Sequence, residues 1–432
     1  MPVPAKLYQP VATKPMVKFL HTADIHLDSP LRGLEAHDGA PVAEIRGATR
    51  RAFDNLIELA VEERVDFLLI AGDLYDGDWK DYNTGLFFAA RMGRLARAGI
   101  RVFIASGNHD AASQITKYMP LPENVTLLAA KKPQSVRLDD LGVAIHGQSY
   151  STRTMTENLA AGFPPAAAGF FNIGLLHSSL TGRAGHEEYA PCSVDDLLAK
   201  GYDYWALGHV HQREVVGEDP WIVFPGNIQG RHIREGGAKG ATLVTIVDSR
   251  VAEVAPRELD VLRWAVCRVD LSDCATVEGV YDTVRLGLMR ELDRAGGRTL
   301  AVRLALTGKC PVHHRLLERT AEWIEEFRGI AAGQGEIWLE KVLFETSRET
   351  GGAGLSSDDS PIAGLLQAIE RLTLDSENLL GMVPELAVLK SKLPPELHSG
   401  EDAPLGGAAN LRAAVQELLI AKLLQHGGPG CA

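Results

Sequence analysis

Between residues 17 and about 256, short apolar runs alternate with amphipathic stretches. The runs "MVKFL", "VDFLLIAG", "IRVFIASG", "GVAIHG", "FNIGLLHS", "YWALGH" and "ATLVTIVD" are brief and closed by glycine or polar residues. Strands buried on both faces read this way, whereas half-exposed strands alternate. Between the first two runs Phe53, Leu56, Ile57, Ala60 and Val61 recur at helical spacing, which predicts an amphipathic helix. The alternation predicts an α/β domain over 17–256, with helices covering a sheet.

Residues 257–347 read as a smaller β-α-β-α-β domain. In "TLAVRLALTG" the alternation puts Leu300, Val302, Leu304 and Leu306 on one face of a strand. Flanking helical stretches carry Val277, Val280, Val284 and Leu288 in one and Leu317, Ala321 and Ile324 in the other. His313 and His314 are expected at an exposed helix start rather than at a metal. Residues 348–362, with "ETGGAGLSSDDSP", have linker composition. In the tail, 363–432, Leu365, Leu366, Ile369 and Leu372 form one helical stripe, and Leu411, Val415, Leu418, Leu419 and Leu423 form another. Two such helices have little core of their own, so docking to another chain is expected. The Pro-rich start, 1–16, reads as a flexible extension.

Composition narrows the class. The chain is 45% hydrophobic and 23% charged, as in ordinary water-soluble proteins, and carries neither an apolar run of membrane-spanning length nor a secretory signal pattern. Five scattered cysteines (Cys192, Cys267, Cys274, Cys310 and Cys431) without a CxxC pair argue against a disulfide framework and a thiolate zinc site. A cytoplasmic location is the expectation, with Cys192 a small packed residue. The net charge of −12 argues against gripping nucleic acid by a wide basic surface alone. Metal ions or a partner would have to supply part of any attraction for a polyanion.

The candidate chemistry sits where the apolar runs end. In "FLHTADIHLDSP", Asp24 and His26 follow the first run two residues apart, and alternation along a strand would point both one way. The device recurs: "LLIAGDLYD" delivers Asp73, "FIASGNHD" delivers Asn108, His109 and Asp110, "IGLLHSS" delivers His177, and "YWALGHVH" delivers His209 and His211. Ligands of open α/β folds gather at such strand ends. Carboxylates, an amide oxygen and imidazoles without thiolate suit manganese, iron or zinc in a two-ion site. One aspartate must bridge the ions, since a shared carboxylate offsets their mutual repulsion.

"DIH", "GD", "GNHD", "H" and "GHVH", in this order, resemble the calcineurin-like metallophosphoesterase superfamily. Within it, "FLHTADIHLDSPL", "GHEEYAPCSVDDLLAKGYDYWALGHVHQREVV" and "FPGNIQGRHIREGGAKG" look like the SbcD/YhaO-type DNA repair exonucleases. The resemblance is close over 17–256 and extends by layout beyond. It implies an α/β/β/α sandwich with a small α/β capping domain and a helical C-terminal tail. It implies two divalent ions, manganese foremost with iron or zinc as further candidates. Asp24, His26 and His211 would hold one ion, Asn108, His177 and His209 the other, and Asp73 would bridge. His109 would stabilise the transition state or protonate the leaving oxygen, with Asp110 orienting it. The related archaeal and eukaryotic break-repair nucleases carry a histidine three residues after the bridging aspartate, where this chain has Asp76.

Asn227, Arg231 and His232, in a Gly-rich stretch after the last ligands, are the candidate phosphate contacts. The implied activity is metal-dependent DNA exonuclease or phosphodiesterase action in DNA repair. The partners implied are DNA, an SMC-like ATPase bound through the tail and a second copy of the chain, with no membrane. A phosphodiesterase of small molecules or cyclic nucleotides is the alternative on the same fold, and a non-catalytic scaffold is a more distant one.

Overall fold

The computed structural model describes residues 16–29, 42–76, 82–112, 121–181 and 189–347, with three isolated helical positions, Glu385, Val388 and Lys392, beyond them. The N-terminal extension up to residue 15, the linker and nearly all of the tail therefore lie outside the described residues. The chain divides into two compact units. One runs to Val266 and includes Glu291–Val302 and Glu336–Glu340; the other comprises Cys267–Arg290, Arg303–Gly335 and the chain from Lys341.

Among the described residues, twelve strands of the first unit form two sheets. They are β1 (Val17–Thr22), β2 (Phe67–Ala71), β3 (Arg101–Ala105), β4 (Val125–Leu127), β5 (Gln134–Leu138) and β6 (Val143–Gly147). The others are β7 (Phe171–His177), β8 (Tyr204–Gly208), β9 (Glu214–Glu218), β10 (Trp221–Phe224), β11 (Gly240–Val247) and β12 (Arg250–Glu258). One sheet runs β12–β11–β1–β2–β3–β4 and the other β5–β6–β7–β8–β10–β9. β1, β2 and β3 are mutually parallel, as are β6, β7 and β8, so their carboxyl ends fall at one edge.

Alternation along each strand divides its side chains between two cores. Phe19, Phe67, Leu69 and Phe103 face Ile145, Ile173, Leu175 and Tyr204 in the layer between the sheets. There Phe19 stacks on Phe67 with ring centroids 5.0 Å apart and meets Tyr204 edge-on at 5.3 Å. The opposite set, including Leu20, Leu68, Ile70, Val102 and Ile104, packs against Phe53, Leu56, Ile57 and Ala60 of helix α1 (Val42–Glu62) and Phe88 and Met92 of α2 (Tyr82–Arg97). Each large side chain so buried contributes about 1.5–3 kcal/mol. This explains why these strands read as unbroken apolar runs. The outer face of the second sheet is covered differently, by Tyr150, Phe163, Cys192, Leu197 and Tyr202 from loops and short helical turns. Cys192 is buried there, its Sγ 3.3 Å from Ser178 Oγ, and burial pushes the thiol up to about 11.

From Leu262 the order is β13 (Leu262–Asp270), a helix Val277–Ala295, β14 (Thr299–Lys309), helices His313–Glu318 and Thr320–Ala332, and β15 (Ile337–Ser347). The three strands form one sheet in the order β13–β14–β15. One local expectation is extended and two need correction. Ala301 and Ala305 are buried as fully as Leu300, Val302, Leu304 and Leu306, so β14 is covered on both faces. The second helical stretch breaks at Arg319, and its buried stripe is Leu316, Trp323, Phe327 and Ala331 rather than Leu317, Ala321 and Ile324. Trp323 and Phe327, stacked at 5.5 Å, have the larger apolar surface and set the phase of the helix. His313 does begin a helix but is buried, with Nδ1 2.9 Å from Thr346 Oγ1. Among the described residues, no helix is long and apolar enough to cross a membrane.

Candidate metal centre

The candidate ligands gather at the shared carboxyl edge of the two sheets. β1 ends at Thr22, so strand alternation is not what aligns Asp24 with His26. The two residues sit in a loop that zips along the loop after β2. Asp24 N donates to Gly72 O, His26 N to Asp73 O and Leu27 N to Leu74 O, at 2.9–3.0 Å. Ile25, Leu27 and Leu74 anchor both loops in the helix-facing core. Asp24, His26 and Asp73 have φ of 49°, 46° and 52°, and His209 has 104°. Left-handed backbone at non-glycine residues costs roughly 1–3 kcal/mol each and is retained where the surroundings impose it.

Two glycines of the motifs are required by close approach. Gly72 has φ 91°, and a Cβ on it would lie 2.3 Å from His177 Nδ1. A Cβ on Gly107 would lie 2.3 Å from Asp73 Oδ1. Asn108 opens the short helix α3 (Asn108–Ala112) immediately after, and His109 N donates to Asp73 Oδ1 at 3.0 Å.

Among the described residues, three groups of side chains offer donor atoms within 4.8 Å of one another: Asp24, His26 and His211; His26, Asp73 and His109; and Asp24, Asp73 and His177. Asp73 Oδ2 lies 3.5 Å from His177 Nε2 and 4.0 Å from His26 Nε2. His177 Nε2 is 3.0 Å from Asn108 Oδ1, and His211 Nε2 is 3.8 Å from Asp24 Oδ1. His209 stands outside these groups, its ring edge-on to His177 at 5.3 Å, while its backbone N–H donates to Asp24.

The donor set fits divalent cations. His177 directs Nδ1 at Ala71 O, 2.9 Å away, and His211 directs Nδ1 at Glu235 Oε1, 2.7 Å away. Each ring therefore carries its proton on Nδ1 and turns the Nε2 lone pair inward. Inward-facing acceptors then meet: His26 Nε2 and His211 Nε2 are 3.3 Å apart. Burial pushes His177 down to about 3, and burial followed by the charge of Arg231 pushes His26 down, so both rings are neutral donors. Burial and mutual repulsion raise Asp24, and burial raises Asp73. Two buried carboxylates facing unprotonated imidazoles form a site that a cation stabilises.

The structure corrects two expected roles. Asp110 does not orient His109: its carboxylate accepts Tyr75 N at 2.9 Å and Gly107 N at 3.0 Å, which shapes the two ligand loops. Asp76 takes that place, with Oδ1 2.7 Å from His109 Nδ1. Burial opposes ionisation of both partners. Their hydrogen bond outweighs it, raising His109 and, with Ser29, lowering Asp76 to about 2. Asn227 is fully buried, its amide donating to Gln229 O and Glu235 Oε2, so it does not face a substrate. Arg231 borders the site with its side chain 15% exposed, and His232 is 54% exposed. Sequence reading missed Glu235, whose only trace was an acid in the Gly-rich stretch after "GHVH".

Comparisons with known proteins give the family. The calcineurin-like phosphoesterase family pattern matches residues 17–213, and that of the metallophosphoesterase YhaO middle domain matches 264–347. The uncharacterised metallophosphoesterase YhaO of Bacillus subtilis is 35% identical over 366 residues, covering 82% of this chain and 88% of its own. The DNA double-strand break repair protein Mre11 of Sulfurisphaera tokodaii is 28% identical over 244 residues, 52% of this chain and 59% of its own. A dimetal phosphatase from Danio rerio aligns over 54% of this chain and 93% of its own, with 10% identity and a TM-score of 0.32. With YhaO matched across most of both lengths, this chain belongs to the calcineurin-like metallophosphoesterases, as a YhaO-like member.

Proposed function

We propose that this metallophosphoesterase is a DNA phosphodiesterase, an exonuclease acting in DNA repair. The hydrolytic reading is carried by the convergence of inward-facing donors around Asp73, which belongs to two of the three donor groups. The 28% identity to Mre11, a DNA double-strand break repair protein, supports DNA as the substrate.

Asp24, His26 and His211 would hold one ion, Asn108, His177 and His209 a second, and Asp73 would be shared. When bound, two divalent ions supply Lewis acidity and charge compensation at the phosphodiester. Manganese is the foremost candidate, since hard-to-borderline donors without thiolate suit it, with iron and zinc as further candidates. Asp73, its Oδ1 held by His109 N, would offset repulsion between the cations. His109, steered by Asp76, offers a proton to the departing oxygen. Arg231 and His232 provide cationic and polar contacts for the DNA backbone at the open side. The tail, with its leucine stripes, would dock to an SMC-like ATPase.

The test is release of nucleotides from end-labelled duplex DNA with Mn2+, Mg2+ or Zn2+ and with chelator. Metal-dependent release is expected. Cleavage of small phosphodiesters without any action on DNA would instead establish the small-molecule alternative. Deleting 363–432 should spare cleavage of short DNA and abolish co-purification with the ATPase. Loss of metal on truncation would refute the docking role.

A further inference from the structure

The carboxylate that sets the His211 tautomer, Glu235, is not used by the proposed function. Glu235 is buried, yet it accepts four kinds of donor: His211 Nδ1 at 2.7 Å, Arg231 N at 2.8 Å, Arg231 Nη2 at 2.9 Å and Asn227 Nδ2 at 3.0 Å. Its ionised form is thus fully solvated by protein, which removes most of the cost of burying a charge. The backbone around it is tied down as well. Gln229 Nε2 donates to Leu262 O at 2.6 Å and its Oε1 accepts Val261 N at 2.9 Å; Trp264 Nε1 donates to Gly230 O at 3.1 Å. Lys239 Nζ holds His211 from the other side, donating to its carbonyl at 2.8 Å.

We infer that Glu235 is the positioning residue of the ion held by Asp24, His26 and His211. It fixes the His211 ring so that Nε2 faces the donors, and its charge makes that nitrogen a stronger donor. Such outer carboxylates typically change metal affinity by about 10–100-fold. Arg231 is then first a clamp on Glu235, its Nη2 and Nε both directed there. In the second half of the centre His177 is held not by Glu235 but by the main-chain carbonyl of Ala71. The influence of Glu235 is therefore confined to one ion.

This inference rests on His211 being a metal ligand, and the test separates the two claims. Mn2+ is titrated calorimetrically into chelator-stripped full-length protein, with Glu235→Gln, the paired Arg231→Met/Glu235→Leu variant and His211→Ala alongside. The paired change removes both charges together, so no guanidinium is left buried and unpaired. We expect two binding events in the parent and a loss of about 10–100-fold in one of them for the paired variant. Glu235→Gln, which keeps an acceptor oxygen, should lose less. Unchanged affinity in both Glu235 variants, with weakened binding in His211→Ala, would overturn the role of Glu235 alone. Unchanged affinity in His211→Ala as well would overturn the ligand assignment and the inference with it. Parallel weakening of both events would mark Glu235 as a general structural prop and refute its selectivity for one ion.

Discussion

The two halves of the proposed centre are built from similar donors, but His177 and His211 are held by different means. His177 is fully buried and oriented by Ala71 O, an acceptor belonging to β2 itself, with Gly72 leaving room for its ring. His211 is 26% exposed and oriented by Glu235, while His109 depends on Asp76. A main-chain acceptor cannot be removed by substitution, so the orientation of His177 persists as long as the sheet does. Side-chain acceptors can be exchanged without disturbing the sheet. His211 and His109, both partly exposed, are therefore where metal affinity and proton delivery can be adjusted at low structural cost.

Asp73→Asn should erase the distinction, because Asp73 contributes to both halves. Activity is expected to fall by at least about 10²–10³-fold, with loss of both ions measured by elemental analysis. Two tightly bound ions with normal turnover would contradict a shared carboxylate.

The deep and open halves should part company when one imidazole is removed from each. His177→Ala leaves the Ala71 carbonyl buried without its partner, a penalty of about 1–3 kcal/mol, so denaturant stability and metal content should fall together. His211→Ala should lower metal content with little change in stability. Equal destabilisation by both would show that the halves are held alike.

Within the open half, His109→Ala is expected to keep both ions and lose at least about 10²-fold in rate. A metal-poor His109 variant would make it a ligand, as its place in a donor group with His26 and Asp73 allows. Asp110→Ala should act instead on stability, since it strands the buried N–H groups of Tyr75 and Gly107 at about 1–3 kcal/mol apiece. A rate loss in that variant without destabilisation would return Asp110 to the mechanism.

A separate prediction, which involves no ion, is a pH dependence of folding outside the donor groups. His21 lies between the sheets, 3.1 Å from Tyr204 Oη and from Leu207 O, and burial pushes it down to about 3. The unfolded chain binds this proton near pH 6.5, so stability is full above that value. It declines as pH falls toward 3, by up to about 1.4 kcal/mol per pH unit. Urea midpoints of chelated protein should show this slope, and His21→Asn should reduce it. An unchanged slope would mean that other groups dominate.

The seven quoted apolar runs all became strands, because burial on both faces leaves an unbroken hydrophobic signature that local pattern can detect. β5, β9 and β12 were harder to see: "QSVRL", "EVVGE" and "RVAEVAPRE" are partly exposed strands at sheet edges, where polar residues are tolerated. The candidate centre was legible because each candidate ligand type follows a buried run, and that arrangement of residue types is improbable for plain turns.

What the sequence determined by itself was the identity and order of the donors and the α/β frame that carries them. Tertiary structure alone decided which atom supports which. Asp76 rather than Asp110 meets His109, since the backbone N–H groups of Tyr75 and Gly107 claim Asp110 first. Asn227 turned inward to Glu235, and Glu235 itself came to His211 across 24 residues of chain. Such pairings depend on left-handed loop residues and on contacts between strands of different sheets. Neither leaves a periodic trace in the chain, because hydrogen bonds are assigned by distance in space rather than along the sequence.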